Sequence, residues 1–582
     1  MTTTRSGFTK LAAVCIAILL GAVVWELGWP LTRAEYEWSR LIAAVATLGH
    51  LTGILGSYFR KEINRPSLRL LIFQIVSCLM IFLLIAREQQ EAGYMRFTEL
   101  SRLVITAGLI AIPTLMSLTR IFEWLVGKQK KGRPLMAPAM QFVASLGVVI
   151  LAGTGLLLLP NSTYPGITLS FTDALFTSTS AVCVTGLNAV DFAHTFTPLG
   201  EMFTLALIQI GGFGIMTFAY FVAMVAGQGF SLRDRVLLTD LLDEDNLGAV
   251  VSFITTIVVS TLFIELCGAV LLYFSWEGKN INLMGEPLWW HSLFHSVSAF
   301  CNAGFSTFPM NLMEPGIRLC HSGQAVIMAL IICGGLGFGI YKEINSRLAN
   351  RFFSKNRRLH MQWTPYFKLV MISTGILLAG GTLAIFAVSS PHAAEPLWEH
   401  LWICFFDSVT ARTAGFNISD YSRYLPAASL IMCGLMMVGG SPGGTAGGMR
   451  TTTCAIAGAE ILRILRGRDH VEFFRRRIDQ RTVARCVITV VVSCAWIGCF
   501  TVLICALEPS MSSLDIFFEN CSAFATVGVS RGITPDLSDP SKYLLIINML
   551  AGRVGLFAFL IALAGTPTPR HYRYPSVKIP LT

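Results

Sequence analysis

Four short stretches of this chain combine hydroxyl-bearing residues with a glycine near their end, and each lies between long apolar segments. A serine precedes Gly186, Gly304 and Gly528 by six positions, and a threonine precedes Gly415 by five. Glycine allows the backbone dihedrals that turn carbonyl oxygens inward, and rings of carbonyls replace the hydration shell of potassium in ion channels. The stretches are FTDALFTSTSAVCVTGLN (171–188), WWHSLFHSVSAFCNAGFS (289–306), HLWICFFDSVTARTAGFN (400–417) and LDIFFENCSAFATVGVS (514–530).

The segment TSTSAVCVTGLN (177–188) at the end of the first stretch has no charged residue and no histidine, and it predicts a selectivity filter that binds K⁺ mainly through backbone oxygens. An alternative is that four glycine-capped half-helices only pack together. The predicted ion-binding residues are Val184, Thr185, Gly186, Leu187, Asn302, Ala303, Gly304, Phe305, Thr413, Ala414, Gly415, Phe416, Thr526, Val527, Gly528 and Val529. The filter is the predicted metal site, and no residue is predicted to be catalytic.

A second unusual segment is GGSPGGTAGG (439–448), with six glycines and one proline in ten residues. A continuous helix would be disfavoured there by about 9 kcal/mol, so the backbone must break, and broken backbone at membrane depth lines a cavity. The alternative is a surface loop between two helices. The segment lacks the GK[ST] of a phosphate-binding loop. The predicted gating residues in this segment are Gly439, Gly440, Ser441, Pro442, Gly443, Gly444, Thr445, Ala446, Gly447 and Gly448.

Arg553 lies in the middle of the last apolar segment. A cation at the bilayer centre costs about 2.5–3.5 kcal/mol on insertion scales, so such residues usually serve function. We predict that Arg553 belongs to the gate and faces the ion path. The alternative is an arginine satisfied by helix-end carbonyls away from the pore.

The elements that position these residues must span a membrane. Of 582 residues, 54% are hydrophobic and 13% charged, and the mean hydropathy is +0.63. The uncharged runs Leu369–Ala394 and Cys486–Leu507 are long enough to cross the hydrocarbon as helices. The first apolar run, Leu11–Trp29, has no convincing cleavage site and is interpreted as a retained helix. The predicted class is therefore an all-α polytopic membrane protein.

The glycine stretches recur about every 115 residues, each in the order span, short helix, glycine loop, span. This predicts eight transmembrane helices and four re-entrant pore helices, preceded by about four extra N-terminal spans. The predicted units are an N-terminal four-helix module of unknown role (1–135), pore repeat 1 (136–230), pore repeat 2 (231–348), pore repeat 3 with gating loop 439–449 (349–468), and pore repeat 4 with the C-terminal tail (469–582).

The net charge of +10 is concentrated in clusters that adjoin the predicted spans, so we predict membrane lipids rather than nucleic acid beside them. Under the positive-inside rule these clusters face the cytoplasm, which predicts a multi-pass protein of the bacterial inner (plasma) membrane with both termini cytoplasmic. The clusters are FRKEINR (59–65), RIFEWLVGKQKKGR (120–133), KEINSRLANRFFSKNRR (342–358) and RILRGRDHVEFFRRRIDQR (463–481).

Four further residues have side chains that could bind an ion or a metal, but a structural role is expected for each of them. Glu265 is expected to be structural near the interface, with a pore role as the alternative. We expect Arg412 to brace its loop by hydrogen bonds, because a cation inside the filter would repel K⁺. His291 and His295 are spaced like a metal-binding pair but lack a third ligand, so aromatic packing is expected. Residues 101–120 lack the regular arginines of a voltage sensor.

The motifs resemble the Trk/Ktr/HKT superfamily of potassium transporters over about residues 139–575. SAVCVTGL, SAFCNAGFS, SVTARTAGFN and SAFATVGVS are similar to its four pore loops, and GGSPGGTAGGMRTTT, GRVG and YRYP to its other signatures. The set most resembles the Ktr-type membrane subunit. That resemblance implies a homodimer with one pore per subunit, a cytoplasmic ring of Rossmann-type nucleotide-binding regulatory subunits, and an intramembrane gating role for 439–448. It implies nothing for residues 1–130.

The predicted function is potassium uptake across the cell membrane, driven by the ion gradient or the membrane potential. No cofactor is predicted; K⁺ is the transported ion and Na⁺ a candidate activator. The alternative within transport is a sodium-permeable or sodium/proton-coupled cation transporter. A membrane enzyme or sensor that binds nucleotide at 439–448 would need a phosphate-loop lysine or acidic metal ligands, which the sequence lacks. We therefore predict that the chain is not an enzyme.

Overall fold

The computed structural model describes residues 7–32, part of 35–52, and residues 138–214, 250–353, 363–389, 396–557 and 559–560. The described part is predominantly helical, which confirms the predicted all-α class. The four extra N-terminal spans are expected near 9–29, 41–58, 69–86 and 101–126. The last two of these, the clusters 59–65 and 120–133, and YRYP (572–575) lie outside the described residues. The count of extra N-terminal spans therefore stays a prediction.

Fifteen helices of twelve residues or more are described. They are α1 Gly7–Gly28, α2 Pro138–Leu157, α3 Phe171–Val182, α4 Pro198–Phe213, α5 Val250–Trp276, α6 Leu288–Cys301, α7 His321–Gly335, α8 Phe338–Phe353, α9 Pro365–Val388, α10 Leu397–Thr410, α11 Pro426–Met437, α12 Thr451–Leu465, α13 Gln480–Leu507, α14 Ser513–Ala525 and α15 Asp539–Val554. A hairpin of β1 (Glu472–Phe473) and β2 (Arg476–Arg477) joins α12 to α13.

Three of the described helices are long and apolar enough to cross a membrane: Ile254–Trp276 within α5, α9 and α13. Helices α9 and α13 correspond to the predicted runs Leu369–Ala394 and Cys486–Leu507, although each begins a few residues earlier. Helix α7 and the first part of α8, Phe338–Arg347, would form a fourth span, but they meet at 93°. At least three membrane-crossing helices are thus present.

From α2 onward the described helices follow one packing scheme. Short helices α3, α6 and α14 each pack between the helix before and the helix after, and α10 packs against the helix before it, α9. The helix that follows each short helix also contacts the next short helix: α4 contacts α6, α7 contacts α10, and α11 contacts α14. Helix α15 contacts α3, which closes the arrangement into a ring around the four glycine loops.

The helix after each short helix ends at a glycine-rich break. Gly214, Gly337 and Gly555 follow α4, α7 and α15 with φ of 77°, 90° and 91°. These angles favour glycine because a Cβ would be strained there. After α11 the break is the whole of 439–448, which Gly439 and Gly440 close by backbone hydrogen bonds to Met449 (2.8 Å) and Thr451 (3.0 Å). The sequence GGSPGGTAGG therefore forms a loop, as its composition predicts.

Candidate functional site

The four glycine loops share one backbone conformation. The residue two positions before each glycine, and the glycine itself, have positive φ, whereas the residue between them does not. Such alternation of handedness allows successive carbonyls to point to the same side of the chain, unlike an ordinary strand. The paired angles are 57° and 91° (Val184, Gly186), 60° and 70° (Asn302, Gly304), 67° and 82° (Thr413, Gly415), and 51° and 92° (Thr526, Gly528).

The four glycines lie next to one another in a closed ring. A Cβ added to Gly304 would lie 2.8 Å from the carbonyl oxygen of Ala414, and one added to Gly415 would lie 2.6 Å from that of Val527. A Cβ on Gly186 would overlap the carbonyl oxygen of Ala303, and one on Gly528 would overlap that of Thr185. Each loop is therefore packed against the loop of the next repeat. The structure brings all four predicted loops together.

The hydroxyl that recurs in each stretch braces its own loop. Ser180 and Ser522 accept hydrogen bonds from the backbone N–H groups of Gly186 (3.0 Å) and Gly528 (3.1 Å). In the other two loops the hydroxyl instead donates to the carbonyl that follows the glycine. These bonds run from Ser298 to Phe305 (2.8 Å) and from Thr410 to Phe416 (2.6 Å). All four hydroxyl-bearing residues are buried, so each bond is shielded from water.

A second set of side chains, which the sequence analysis missed, anchors each short helix to the preceding long one. The side chain two positions before each bracing hydroxyl donates to a backbone carbonyl in the middle of that long helix. The signal in the sequence was a second polar residue at the same offset in every stretch. The pairs are Ser178–Ile150 (2.8 Å), Ser296–Glu265 (2.6 Å), Ser408–Leu378 (3.0 Å) and Asn520–Ile497 (2.8 Å).

On one side of the ring lies an open cavity of about 430 Å³. Its floor includes Gly186, Gly415 and Gly528, and its wall includes the carboxylates of Asp191 and Asp420. The short helices end at the ring, so their C-terminal partial negative charges, roughly half an elementary charge each, favour a cation there. The arrangement can therefore attract a cation from the cavity and offer it backbone oxygens.

The loop 439–448 lies on the other side of the ring. A Cβ on Gly447 would overlap Oγ1 of Thr526, and one on Gly448 would lie 3.0 Å from Cα of Ala525. The Thr445 hydroxyl donates to the carbonyl of Phe300 at 3.3 Å. The loop therefore contacts residues that directly precede the filter glycines, at the end away from the cavity.

The same loop is also bound to the break between α7 and α8. The backbone N–H of Ser441 donates to Gly335 (3.0 Å), and that of Phe338 donates to Gly443 (3.0 Å). The Tyr366 hydroxyl, at the start of α9, donates to the carbonyl of Pro442 at 2.9 Å. The loop is thus held by three elements outside its own helix pair.

Arg553, in the last turn of α15, donates hydrogen bonds to the carbonyls of Thr445 and Gly211. Thr445 belongs to the loop 439–448, and Gly211 is at the end of α4. Its donors therefore bind backbone carbonyls, one of them in the loop 439–448, and the role of Arg553 in the gate stays a prediction. The structure brings this predicted residue and the predicted loop together.

The remaining candidates have defined partners. Glu265 is buried, and both its oxygens accept from Nε2 of Gln209 at 3.1 Å. His291 and His295 bond to Thr307 (2.6 Å) and Ser306 (2.8 Å), and both rings stack on Phe308.

Arg412 differs from its expectation. Its Nε atom is buried and has no hydrogen-bond partner among the described residues, so bracing of the loop by this nitrogen is not observed. Among the described residues no group of three or more His, Cys, Asp or Glu side chains could hold a metal ion.

Comparison with known proteins identifies the family. The TrkH family of cation transport proteins matches residues 104–574. Ktr system potassium uptake protein B of Bacillus subtilis is 34% identical over 446 residues, which cover 74% of this chain and 94% of that protein. Potassium/sodium uptake protein NtpJ of Enterococcus hirae is 32% identical over 468 residues, covering 78% and 99%.

The fold agrees with a solved structure of the same family. The crystal structure of the potassium transporter TrkH from Vibrio parahaemolyticus superposes with a TM-score of 0.59 at 18% identity, over 84% of this chain and 98% of that one. At that identity the likeness supports the fold. The family match covers most of the chain and confirms the resemblance drawn from the loop motifs. The chain belongs to the TrkH family of cation transport proteins.

Proposed function

We propose that this chain takes up potassium across the cell membrane through the ring of four glycine loops. The observation that carries this proposal is the ring itself, in which four loops of one conformation each pack a glycine against a backbone carbonyl of the next. Such a ring supplies neutral oxygens at fixed spacing, and the short-helix dipoles add attraction without a competing side-chain charge. Val184–Leu187 and the equivalent residues of the other three loops would coordinate the ion.

The loop 439–448 and Arg553 would form the gate. The loop contacts the end of the filter opposite to the cavity, and Arg553 adds a positive charge beside it. Two unit charges 6 Å apart repel by about 3 kcal/mol at an effective dielectric constant near 20, enough to slow a passing cation more than a hundredfold. Movement of the loop, with release of Arg553 from Thr445, would open the path.

The proposed setting is the bacterial inner membrane with both termini in the cytoplasm. We propose a homodimer with a cytoplasmic ring of Rossmann-type nucleotide-binding subunits, as the resemblance to Ktr-type membrane subunits implies. Arg475, Arg476 and Arg477 are exposed on the hairpin between α12 and α13 and would offer charge to such subunits. Energy would come from the ion gradient or the membrane potential, and no enzymatic step or cofactor is proposed.

Growth of a potassium-uptake-deficient bacterium at low potassium tests this proposal, together with ⁸⁶Rb⁺ and ²²Na⁺ uptake into the same cells. We expect the chain to restore growth and to take up Rb⁺ in preference to Na⁺. Membrane-inserted protein that restores no growth and takes up no Rb⁺ would refute potassium uptake. Equal uptake of Rb⁺ and Na⁺ would instead favour the sodium-permeable alternative; the Enterococcus hirae relative is named a potassium/sodium uptake protein.

A further inference from the structure

A third set of side chains occupies one equivalent position on the short helices, and in three of the four repeats it binds the segment that leaves the filter loop. These side chains are three positions before the bracing hydroxyl, and the set comprises Thr177, His295, Asp407 and Glu519. All four are at most 1% exposed. Because the position is equivalent in every repeat, differences in its bonding reveal how the four loops differ.

In the fourth repeat the carboxylate of Glu519 is the centre of a small network. The Ser530 hydroxyl and the backbone N–H of Arg531 (2.9 Å) donate to Oε1, and the Thr534 hydroxyl donates to Oε2 at 3.0 Å. Ser530 is two positions after Gly528 and also accepts from the N–H of Gly532 at 2.8 Å. One hydroxyl therefore shapes the turn after the filter and ties that turn to the short helix.

The second repeat repeats this design with a different acceptor. Nδ1 of His295 lies 2.7 Å from the carbonyl of His291, which can only accept, so Nδ1 carries the proton. Nε2 of the neutral ring then accepts from the Ser306 hydroxyl at 2.8 Å. Ser306 is two positions after Gly304 and also accepts from the N–H of Phe308 at 3.1 Å. In the second and fourth repeats, therefore, the serine two positions after the filter glycine donates to the equivalent side chain of the short helix.

The third repeat uses a carboxylate and three hydroxyls. Oδ1 of Asp407 accepts from Ser419 (3.3 Å) and Tyr421 (2.8 Å), and Oδ2 accepts from Tyr424. Ser419 is four positions after Gly415 rather than two. The acceptor on the short helix is therefore kept, while the donors come from further along the segment.

Among the described residues, the first repeat makes no such connection. Oγ1 of Thr177 is buried without a hydrogen-bond partner in the described part of the chain. Asn188, two positions after Gly186, has a buried Oδ1 that is likewise without a partner among those residues. Three filter loops are thus tied to their short helices on the cavity side, and the first is not.

We propose that His295, Asp407 and Glu519 are positioning residues that set the preference of the filter for K⁺ over Na⁺, and that the first loop is the one left free to adapt to the ion. This inference rests on the proposed potassium uptake. Na⁺ is smaller than K⁺, so carbonyls must move inward to bind it equally well. A loop that is hydrogen-bonded to its short helix both at the bracing hydroxyl and after the glycine resists that movement. A loop without the second bond can move inward with the ion.

The test removes single hydroxyls, which leaves the short helices intact. Ser306→Ala deletes the hydroxyl donor to Nε2 of His295, and Ser530→Ala deletes one of the three donors to Glu519, which keeps the Arg531 N–H and the Thr534 hydroxyl. Asn188→Ala changes the equivalent site of the first repeat, where the Oδ1 atom makes no bond. Ser541→Ala is the matched control, because Ser541 is also a buried serine of the fourth repeat that donates to a carboxylate, Glu508, at 2.8 Å.

Uptake of ²²Na⁺ and ⁸⁶Rb⁺ is measured for all variants in the same potassium-uptake-deficient cells at equal membrane expression. We expect the Na⁺:Rb⁺ ratio to rise about threefold to tenfold in Ser530→Ala and Ser306→Ala, the range that the loss of one hydrogen bond supplies. Ser530→Thr, which keeps the hydroxyl, restores the parental ratio. Asn188→Ala and Ser541→Ala keep the parental ratio.

Parental ratios in both Ser530→Ala and Ser306→Ala would overturn the inference while potassium uptake stands. An equal rise in Ser541→Ala would also overturn it, because the effect would then follow any buried hydroxyl. If the parent protein takes up no Rb⁺, the proposed function fails and this inference fails with it.

Discussion

The guanidinium of Arg553 donates a hydrogen bond to the backbone carbonyl of Thr445, so a half-buried cation of the last repeat is bound to the glycine-rich loop of the third. A second bond from the same guanidinium reaches Gly211 in the first repeat. Three repeats therefore meet at one side chain, on the end of the filter away from the cavity. Any movement of the loop at Thr445 must lengthen or break this contact.

The substitution Arg553→Gln is expected to raise Rb⁺ uptake several-fold in the absence of any activating partner. Glutamine removes the positive charge beside the path and breaks at least one of the two bonds. Arg553→Lys keeps the charge but loses the two-pronged donor geometry, so it separates the two effects. Initial rates of Rb⁺ uptake at equal expression measure this. A rate no higher than that of the parent in Arg553→Gln would place the gate elsewhere.

Deletion of Gly443–Thr445 is expected to raise basal Rb⁺ uptake without changing the Na⁺:Rb⁺ ratio. The deletion removes the carbonyl that binds Arg553 and the Gly443 carbonyl that accepts from Phe338. The filter loops themselves are unchanged, which is why selectivity should be kept. Gly443→Ala is a milder comparison, since a Cβ there meets no atom within 4 Å and only its φ of 69° is strained for alanine, by about 1–2 kcal/mol. A deletion variant with normal expression and parental uptake would contradict the gating role.

The substitution Gly186→Ser is expected to lower the K⁺:Na⁺ permeability ratio. Its φ of 91° is strained for serine by about 1–2 kcal/mol, and the new Cβ would overlap the carbonyl oxygen of Ala303 in the next loop. Gly166→Ser is the matched control, because Gly166 has a φ of 88° but no atom within 4 Å of the new Cβ. Reversal potentials in reconstituted bilayers report the ratio. An unchanged ratio in Gly186→Ser would remove Gly186 from the filter.

The substitution Lys542→Met is expected to destabilise the contact between the first and last repeats. Lys542 forms an ion pair with Asp173 at 2.8 Å, and the two side chains are only 8% and 19% exposed. Removal of one partner leaves a poorly solvated charge and should cost about 2–3 kcal/mol. Melting of the detergent-purified protein measures the loss. Addition of Asp173→Asn should recover part of it, and a double variant no more stable than Lys542→Met would argue against the pair.

The predicted topology places 342–358 and 463–481 in the cytoplasm and 161–170 outside. Thr168 is an exposed residue of 161–170, and Arg468 is an exposed residue of 463–481. In a cysteine-free background, Thr168→Cys should react with a membrane-impermeant maleimide on intact cells. Arg468→Cys should react only after permeabilisation. The reverse pattern would invert the repeats in the membrane.

Local sequence patterns predicted the elements of the site well. Each predicted short helix and glycine loop is present, because the apolar spacing and the glycine are properties of a few adjacent residues. The sequence shows each bracing hydroxyl five or six positions before its glycine, but it does not show the direction of its bond, since Ser180 accepts where Ser298 donates. That choice depends on the loop's final backbone and not on the serine itself.

Contacts between repeats could not be predicted from one sequence. Arg553 binds Thr445 and Gly211, which belong to other repeats. Both are bound through their backbone carbonyls, so their residue types give no sign of the contact. Arg412 was expected to brace its loop because an arginine carries five hydrogen-bond donors. Its Nε atom nevertheless has no hydrogen-bond partner in the described residues. Composition predicts that a polar group needs a partner, whereas only the packed chain determines which one.

The ring of glycines has a consequence for biosynthesis. Gly528 of the last repeat packs against the carbonyl of Thr185 in the first, so the ring is closed by segments made at opposite ends of translation. During synthesis the first three loops are made before the fourth loop, which completes the ring. A chain that stops before the fourth repeat therefore lacks one quadrant of the filter. Premature termination should yield a protein that is cleared by quality control rather than a selective leak.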